Sequence, residues 1–444
     1  MRKLKDEYTK QTKRTYYSLY GQLLSLPLLF EAYKHVRKNK GAPGIDGQTV
    51  EAFGENLYVE LSRLLLELKS KTYCATAVKR ITISKEGGGE RQLGIPTVRD
   101  RVVQQALRSI LEPIFDPDFH PSSYGYRKGR SCHHAITKAQ LFIRRYQRQW
   151  VVDMDLSKCF DTLDHDLIIA QFREKVTDGS ILALLKQFLK SGVMIGLEHV
   201  DSDIGSPQGG VISPLIANVY LDKFDQMMKQ RGHRLIRYAD DILILCKSKG
   251  AAENALKVAK GYLEGELRLT VNVEKTHIAH SDEGIKYLGV VIYSEKTRIQ
   301  EKKLQAFKAK VKHITRRNQG KNLDGVIKEL NPVLRGFTNY FRIADCMSWF
   351  IGLMKWIRRR LRHIQMKQWK TPKKLYRILR GMGYKVKYQW IKMKSWRNSA
   401  CQIAHKAMSN KWLHETMNLF DMTKVEVGIR VFTFEDSYLQ EPYT

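Results

Sequence analysis

Two consecutive carboxylates inside an apolar run are the residues of this chain best suited to metal chemistry. Asp240 and Asp241 separate Leu235-Ile236 from the apolar run 242–245. Short runs rich in isoleucine and leucine predict two β-strands, which puts the Asp pair at or near the turn of a hairpin. Aspartate also favours solvated turns, so a purely structural interpretation stays open. The metal interpretation requires a third carboxylate and a phosphate-binding group elsewhere in the chain.

A second acidic cluster follows another predicted strand. The run Trp150-Val151-Val152 leads into Asp153 and Asp155. Strand alternation puts these two carboxylates on one face, so either could be the third acid. Two divalent ions about 4 Å apart need acidic oxygens that converge from separate elements. Asp155 together with the pair at 240–241 would meet that need.

Two glycine-containing segments could bind a phosphate or a base. Residues 78–95 predict a hairpin with a glycine-rich tip, and Lys85 and Arg91 on either side of it could hold a triphosphate. The spacing is not that of a P-loop, and exposed hairpins often carry cations. In the loop 204–215, Gln208 precedes two glycines that permit close approach of another backbone. A plain loop before a helix is the alternative there.

The charge balance of the whole chain points to a polyanionic partner. The 444 residues carry a net charge of +32, which nucleic acid would neutralise more readily than a membrane surface. No apolar run of about 18 residues and no secretory signal is present, so we expect no membrane contact. Six cysteines without paired spacing indicate free thiols in a reducing compartment, and we expect a cytoplasmic (bacterial) protein.

The hydrophobic patterns divide the chain into regions of different character. Residues 1–72 are predicted helical, with a Gly/Pro loop at 38–47. Strands and helices then mix up to residue 298, including a helix at 251–266, a strand-like segment at 267–273 and a hairpin at 285–291. From about residue 300 the chain is predicted helical. We therefore place domain boundaries at 1–72, 73–298, 299–365 and 366–444.

The C-terminal part is strongly basic and rich in tryptophan. Between Cys346 and His414 there are 18 Lys or Arg, no Asp or Glu, and six of the seven tryptophans. Tryptophan can stack on bases or lie beneath a cation. Core tryptophans beside a solvated basic face are the alternative. The absence of any balancing acid favours contact with nucleic acid.

Taken in order, these motifs resemble the fingers and palm of reverse transcriptases, and most closely those encoded by group II introns. The resemblance covers roughly residues 20–420. It includes the Tyr-Ala-Asp-Asp hairpin, the first palm motif at 152–165, the Ser-Pro-Gln-Gly motif within 205–222 and the Leu-Gly hairpin at 287–290. Residues 330–341 resemble the thumb (maturase, or X) signature. This implies an α+β right-hand polymerase fold followed by a helical thumb and a basic C-terminal region.

The resemblance also implies roles for single residues. Asp155, Asp240 and Asp241 would bind two Mg²⁺, for which Mn²⁺ is a possible substitute, and Asp155 is preferred to Asp153 because of its spacing from Phe160. Phe160 would exclude a 2′-OH. With it, the residues implied to bind the dNTP are Lys85, Arg91, Gln208 and Tyr238. Those implied to bind nucleic acid are Lys40, Lys275, Arg335, Arg358, Arg359, Arg360 and Trp369.

The implied activity is addition of dNTPs to the 3′-OH of a DNA or RNA primer on an RNA template, with group II intron RNA and a DNA target as partners. Cys159 stands where many members carry an aromatic residue. No His/Cys-rich endonuclease module follows residue 420, which resembles the endonuclease-lacking (class C-like) branch. A splicing-only maturase and a domesticated relative in DNA repair or phage defence remain alternatives. A viral RNA-dependent RNA polymerase is disfavoured, because such enzymes usually carry Gly-Asp-Asp.

Overall fold

A four-stranded sheet brings the two acidic segments of the sequence to one edge. We analysed a computed structural model, which describes residues 15–84, 90–195, 198–200, 205, 209–318, 320–392, 396 and 402–430. These residues form two compact units. The first unit comprises the described residues of 1–135 and 148–279, and the second those of 136–147 and 280–430. Helices and antiparallel strands both contribute, so the expected α+β class is confirmed.

The strands in chain order are β1 (Val78–Ser84), β2 (Glu90–Ile95), β3 (Trp150–Met154), β4 (Val193–Ile195), β5 (Glu198–Val200), β6 (Arg234–Tyr238), β7 (Asp241–Cys246), β8 (His277–His280), β9 (Ile285–Tyr287), β10 (Val290–Ile292) and β11 (Thr297–Ile299). The α-helices are α1 (Tyr20–Leu23), α2 (Leu26–Lys38), α3 (Val50–Glu55), α4 (Leu57–Lys69), α5 (Val98–Phe115), α6 (Cys132–Arg144), α7 (His165–Arg173), α8 (Gly179–Lys190), α9 (Ser213–Gln230), α10 (Lys249–Gly265), α11 (Glu301–Ile314), α12 (Leu323–Phe341), α13 (Met347–Trp369), α14 (Pro372–Gly381) and α15 (Gln402–Ala407).

The central sheet of the first unit has the strand order β6-β7-β3-β8. Its middle strand β7 is buried from Ile242 to Cys246, which explains why an unbroken apolar run forms a strand there. The antiparallel register pairs Tyr238 with Asp241 and Met154 with Ile242. The predicted hairpin around the Asp pair is therefore confirmed.

One hydrophobic core runs from Leu19 to Val271 and holds this sheet against the surrounding helices. The helix α9 contributes Tyr220 and Phe224, both completely buried, to this core. α5 adds a continuous buried side, and Thr97 caps its first turn by accepting from the amide of Asp100. The scaffold under the acidic edge is thus a single packed core.

A second sheet of the first unit has the order β2-β1-β4-β5. β1 and β2 form the predicted antiparallel hairpin, whose last pair is Ser84 with Glu90. The glycine-rich tip at 85–89 lies outside the described residues. The sheet therefore supports the two strand ends that flank this tip.

The second unit combines a small sheet with helices. β9, β10 and β11 form an antiparallel meander, which confirms the hairpin predicted at 285–291. α11 to α15 follow, and α12 begins at an Asn322 cap. Near the end of α13, Met366 and Trp369 pack with Leu375, Leu379 and Trp396 in a local hydrophobic cluster. The domain boundaries drawn from the sequence stay a prediction.

The strand expected at 267–273 is wrong. Leu267, Leu269 and Val271 are buried, as the alternating pattern required, but the segment makes only one isolated bridge, between Leu156 and Val271. Two backbone hydrogen bonds make this bridge, from the Asn272 amide to the Asp155 carbonyl and from the Ser157 amide to the Thr270 carbonyl, while the amide of Leu269 donates to the Leu263 carbonyl at the end of α10. Alternate side chains are therefore buried although the backbone pairs at a single bridge, too short to form a strand.

Among the described residues, none of the helices is both long enough and apolar enough to cross a bilayer.

Asp178 joins the N-terminal segment to α8 and gives a test of the fold. Its carboxylate accepts from the amides of Leu19 and Tyr20 and also caps α8 at Ser180 and Ile181. Burial raises the pKa of Asp178, but these four amides outweigh that effect, so the net shift is downward. We predict that Asp178→Ala lowers the free energy of unfolding by about 2 kcal/mol at pH 7, measured by urea titration.

Because the folded-state pKa of Asp178 is depressed, this stabilisation is full above the unfolded pKa of about 4 and is lost as the pH falls through the folded value. The difference between parent and variant should therefore shrink below pH ~4. Asp166→Ala, which removes an exposed acid from the first turn of α7, is the control and should cost less than about 0.5 kcal/mol. Equal losses in the two variants would contradict the assigned role of Asp178.

Candidate active site

The turn between β6 and β7 exposes two carboxylates at the edge of the sheet. Tyr238 pairs with Asp241, so the loop contains only Ala239 and Asp240. Ala239 has a φ of 60°, a left-handed conformation for which glycine is usual in so short a loop. A Cβ at Gly125 would collide with the backbone nitrogen of Ala239. The turn is therefore packed tightly against the segment that contains Gly125.

Asp155 leaves the sheet at the same edge. The last pair between β3 and β7 is Met154 with Ile242, so the next residues are Asp155 on one strand and Asp241 on the other. Lys275 Nζ lies 2.8 Å from Asp155 Oδ2, and Asn272 Nδ2 donates to the same oxygen at 3.3 Å. The predicted third carboxylate thus stands beside the Asp pair, with an ammonium group bound to it.

Negative charge is concentrated at this edge. Although Asp241 as a whole residue is exposed, surrounding protein atoms partly desolvate its carboxyl group. This desolvation, reinforced by the charges of Asp240, Asp155 and Asp153, raises the pKa of Asp241 to about 7, and Lys275 opposes the shift. Burial first and then Asp155 likewise raise the pKa of Asp153 to about 6, against the opposing effect of His277. A site of this kind favours an added cation.

The donor set suits a hard divalent ion, since carboxylate oxygens from two adjacent strand ends are ligands that Mg²⁺ and Mn²⁺ accept. Within the described part of the chain, no three acidic, imidazole or thiol side chains already converge closely enough to hold a metal ion. Lys275 adds one positive charge to this acidic edge. The pKa of Lys275 is raised, chiefly because its ammonium group donates a hydrogen bond to Asp155. The residues therefore fit the chemistry of a metal site, with Lys275 neutralising Asp155.

Phe160 lies near this edge in a short 3₁₀ turn, Cys159–Asp161. It is 7 % exposed, and the ring of Tyr126 meets it edge-on with the centroids 6.3 Å apart. Lys158, which precedes the turn, has a left-handed φ of 48°. Neighbouring Cys159 is buried, and this burial raises the pKa of its thiol to about 12, so it is not a reactive thiolate.

The structure describes only some of the other four residues expected to bind a nucleotide. Lys85 and Gln208 lie outside the described residues, and for Arg91 only the backbone, paired with Ile83 in the hairpin, is described. Tyr238 is partly buried at the end of β6. Beside Gln208, Gly209 has a φ of 119° and lies so close to Gly94 of β2 that a Cβ would collide with the Gly94 carbonyl.

Several cations expected to bind nucleic acid instead contact the protein. Arg358 donates to His414 Nε2 and ion-pairs with Asp421, and Arg360 donates to Thr315 and lies over the ring of Trp356. Arg335 lies over Phe420. Trp369 is 9 % exposed inside the cluster at the end of α13. Lys40 and Arg359 are exposed.

The sequence alone gave no reason to select the residues that support the turn. The turn is supported on its buried side by Gly125, Asn218, Asp225 and Arg237. Tyr126 contacts Phe160. A charged residue in an otherwise apolar run, Arg237 between Ile236 and Tyr238, was the one available signal.

Two family models match the chain. One, described as "Reverse transcriptase (RNA-dependent DNA polymerase)", matches residues 83–292, which include all three carboxylates of the acidic edge. The other, "Group II intron, maturase-specific domain", matches residues 304–383. The two matches follow each other in the order that the sequence motifs predicted.

Curated relatives agree with these models. The chain is 36% identical to "Protein YkfC" of Escherichia coli strain K12, over 62% of this chain and 82% of that protein. It is 30% identical to "Group II intron-encoded protein LtrA" of Lactococcus lactis, over 61% of this chain and 56% of LtrA, and so spans little more than half of that relative. Among solved structures, a chain of a "Cas6-RT-Cas1--Cas2 complex" matches with a TM-score of 0.37 and 26% identity, over 56% of this chain and 27% of that chain.

The raised pKa of Asp241 predicts pH-dependent metal binding. Protonation competes with the metal ion for the carboxylate, so apparent affinity for Mn²⁺ should increase about tenfold from pH 6 to pH 8 as a group of pKa about 7 ionises. Electron paramagnetic resonance of free Mn²⁺ measures this affinity. Asp241→Asn should weaken binding and flatten the pH dependence, whereas Asp166→Asn should change neither. An affinity in the parent that is constant over this range would contradict the prediction.

Proposed function

Because this chain belongs to the group II intron reverse transcriptase and maturase family, we propose that it is an RNA-directed DNA polymerase whose catalytic residues are Asp155, Asp240 and Asp241. The observation that carries the proposal is the strand register, which puts Asp155 and Asp241 opposite each other on adjacent strand ends with Asp240 next in the turn; burial, reinforced by the neighbouring carboxylates, raises the pKa of Asp241.

Members of this family use divalent metal ions. In this chain we propose two Mg²⁺, held by the three carboxylates, with Mn²⁺ as a substitute. When bound, such ions would lower the pKa of a primer 3′-OH and would stabilise the charge that develops on the triphosphate and the departing pyrophosphate. The protein itself contributes the rigid sheet edge that fixes the carboxylates, and Lys275, whose ammonium holds Asp155 in place.

Five residues are proposed to bind the incoming dNTP. Phe160, held by its burial and by Tyr126, would stack beneath the sugar and exclude a 2′-OH. Lys85 and Arg91 would grip the triphosphate, because an ammonium and a guanidinium on either side of a hairpin tip can contact neighbouring phosphates. The proposal also assigns Gln208 and Tyr238 to the nascent base pair.

The reverse transcriptase and maturase domains imply nucleic-acid partners, and the maturase domain favours intron RNA among them. We propose that the chain binds group II intron RNA as template and splicing partner, uses a DNA or RNA primer and contacts a DNA target during intron mobility. Of the cations assigned to nucleic acid, Lys40 and Arg359 are exposed and suit direct phosphate contact. Arg335, Arg358, Arg360 and Trp369 would act at least partly by shaping the surface, since they contact other side chains.

The cellular setting is proposed to be a reducing bacterial cytoplasm. All five cysteines among the described residues are free, and three of them, Cys159, Cys246 and Cys346, are buried. Free buried thiols suit a compartment in which disulfides do not form.

Removal of one catalytic carboxylate should abolish primer extension. Asp155→Ala or Asp240→Ala is expected to lower the single-turnover rate constant by roughly a thousandfold, because a lost metal ligand removes several kcal/mol of transition-state stabilisation. The assay is extension of a DNA primer on an RNA template with dNTPs and Mg²⁺, and Asp166→Ala is the control. If the parent promotes intron splicing but extends no primer on any template, the polymerase assignment is wrong and the splicing-only maturase is favoured.

A smaller side chain at Phe160 should weaken discrimination against ribonucleotides. Phe160→Val would open space where a 2′-OH could sit, so the ratio of catalytic efficiencies for dNTP over rNTP should fall by about tenfold or more. Single-nucleotide insertion kinetics with dCTP and CTP measures this ratio. Phe224→Leu, a core change in α9, serves as the control. An unchanged ratio in Phe160→Val would remove Phe160 as the sugar discriminator.

A further inference from the structure

Arg237 carries a charge in the interior of the first unit, directly behind the Asp240–Asp241 turn. Its side chain and that of Asp225 are both 0 % exposed. Arg237 Nε donates to both carboxylate oxygens of Asp225, at 3.0 and 2.8 Å, and Nη2 lies 2.7 Å from Oδ2. Removing two charges from water is costly, and a well-packed apolar pair would often be as stable. The location of the pair therefore calls for a role other than stability.

The remaining nitrogen of the guanidinium reaches the turn itself. Arg237 Nη1 donates to the carbonyl of Ala239 at 3.1 Å and to Asn218 Oδ1 at 3.0 Å. Ala239 is the turn residue with a left-handed φ of 60°, a conformation that is strained for a residue with a side chain. The hydrogen bond from Arg237 thus holds the strained residue that directly precedes Asp240 and Asp241.

The same network fixes the segment that packs on the other side of the turn. Asn218 Nδ2 donates to the carbonyl of Gly125 at 2.9 Å. The amide of Arg237 donates to the Ser122 carbonyl and the amide of Tyr124 donates to the Arg237 carbonyl, both at 2.9 Å. Gly125 has no room for a side chain against Ala239. The turn is therefore clamped between this segment and α9, which supplies Asn218 and Asp225.

We propose that Arg237 is a positioning residue: neutralised by Asp225 and oriented by Asn218, it holds the Ala239 carbonyl and so sets where the carboxylates of Asp240 and Asp241 point. The inference rests on the proposed function for its kinetic consequences. Arginine is required because its planar group contacts three partners at once, whereas a lysine ammonium is a point charge that can keep the ion pair but not the full set.

Arg237→Lys tests the proposal, with Asn218→Ala as a second variant in case the first does not fold. In single-turnover extension, each is expected to lower the rate constant by roughly ten- to a hundredfold, because a shift of about 1 Å in catalytic groups has an effect of that size. The half-saturating Mg²⁺ concentration should rise, and affinity for the template–primer should stay unchanged. Mn²⁺ affinity, measured without substrate, should fall in both variants.

Tyr220→Phe is the matched control. Tyr220 lies on the same helix, is 0 % exposed and donates to the Leu267 carbonyl at 2.7 Å, on a side that does not contact the turn. Its loss should lower the unfolding temperature and leave the rate constant and the Mn²⁺ affinity unchanged. The amplitude of the pre-steady-state burst reports the folded, competent fraction of each protein. A merely structural role for Arg237 would reduce this amplitude only.

The outcomes separate the two proposals. If Arg237→Lys and Asn218→Ala keep the parental rate constant and Mn²⁺ affinity, the positioning role is overturned. Loss confined to burst amplitude overturns it as well. If the parent extends no primer, the proposed polymerase function fails, and Mn²⁺ affinity still decides whether Arg237 sets the carboxylates. Weakened Mn²⁺ binding in the variants, with normal binding in Tyr220→Phe, supports the inference.

Discussion

Mutual repulsion of carboxylates is the constraint on which the rest of the first unit depends. Asp153, Asp155, Asp240 and Asp241 stand close enough for burial and their combined charge to raise the pKa of Asp241 to about 7. Such groups would separate in a flexible loop. They stay together because β7, buried from Ile242 to Cys246, pairs with β3 on one side and β6 on the other. Hydrophobic burial of the sheet offsets the electrostatic cost at its edge.

Lys275 relieves this repulsion, whereas Arg237 supports the turn from the buried side. Lys275 contacts Asp155 from the exposed side, at the end of a segment that is tied to the 155–157 turn by backbone hydrogen bonds. Arg237 lies on the buried side, where Asp225 takes up its charge and its hydrogen bonds hold the turn. Lys275 is exposed to solvent, whereas Arg237 is completely buried.

Arginines in the basic region of the second unit form hydrogen bonds within the protein. The sequence contains an uninterrupted basic region, yet Arg358, Arg360 and Arg362 all donate to groups within the same unit, including His414, Thr315 and the Met408 carbonyl. These arginines connect α13 to the segments before and after it. A guanidinium that satisfies protein acceptors can still present part of its charge to a phosphate backbone, so packing and attraction for nucleic acid are compatible here.

The sequence by itself determined the chemistry of the site and the elements that carry it. Strand periodicity predicted the hairpin at Asp240–Asp241 and the strand before Asp155, and the order of motifs indicated the family, because residue type and spacing are local properties. The choice between Asp153 and Asp155 came from the motif, since alternation puts both on one face. The buried alternation at 267–273 was misread, because alternation reports which side chains are buried and not where the amides bond.

Only the tertiary structure decided which distant residues support the turn. Asp225, Asn218 and Gly125 lie 12, 19 and 112 positions before Arg237, and nothing local to them signals a shared network. Likewise, a run of arginines cannot reveal which members donate to protein carbonyls. Packing of the core decides which residues far apart in the chain become hydrogen-bond partners. In this protein, that packing brings Arg237, Asp225 and Asn218 together behind the acidic hairpin and Lys275 beside Asp155.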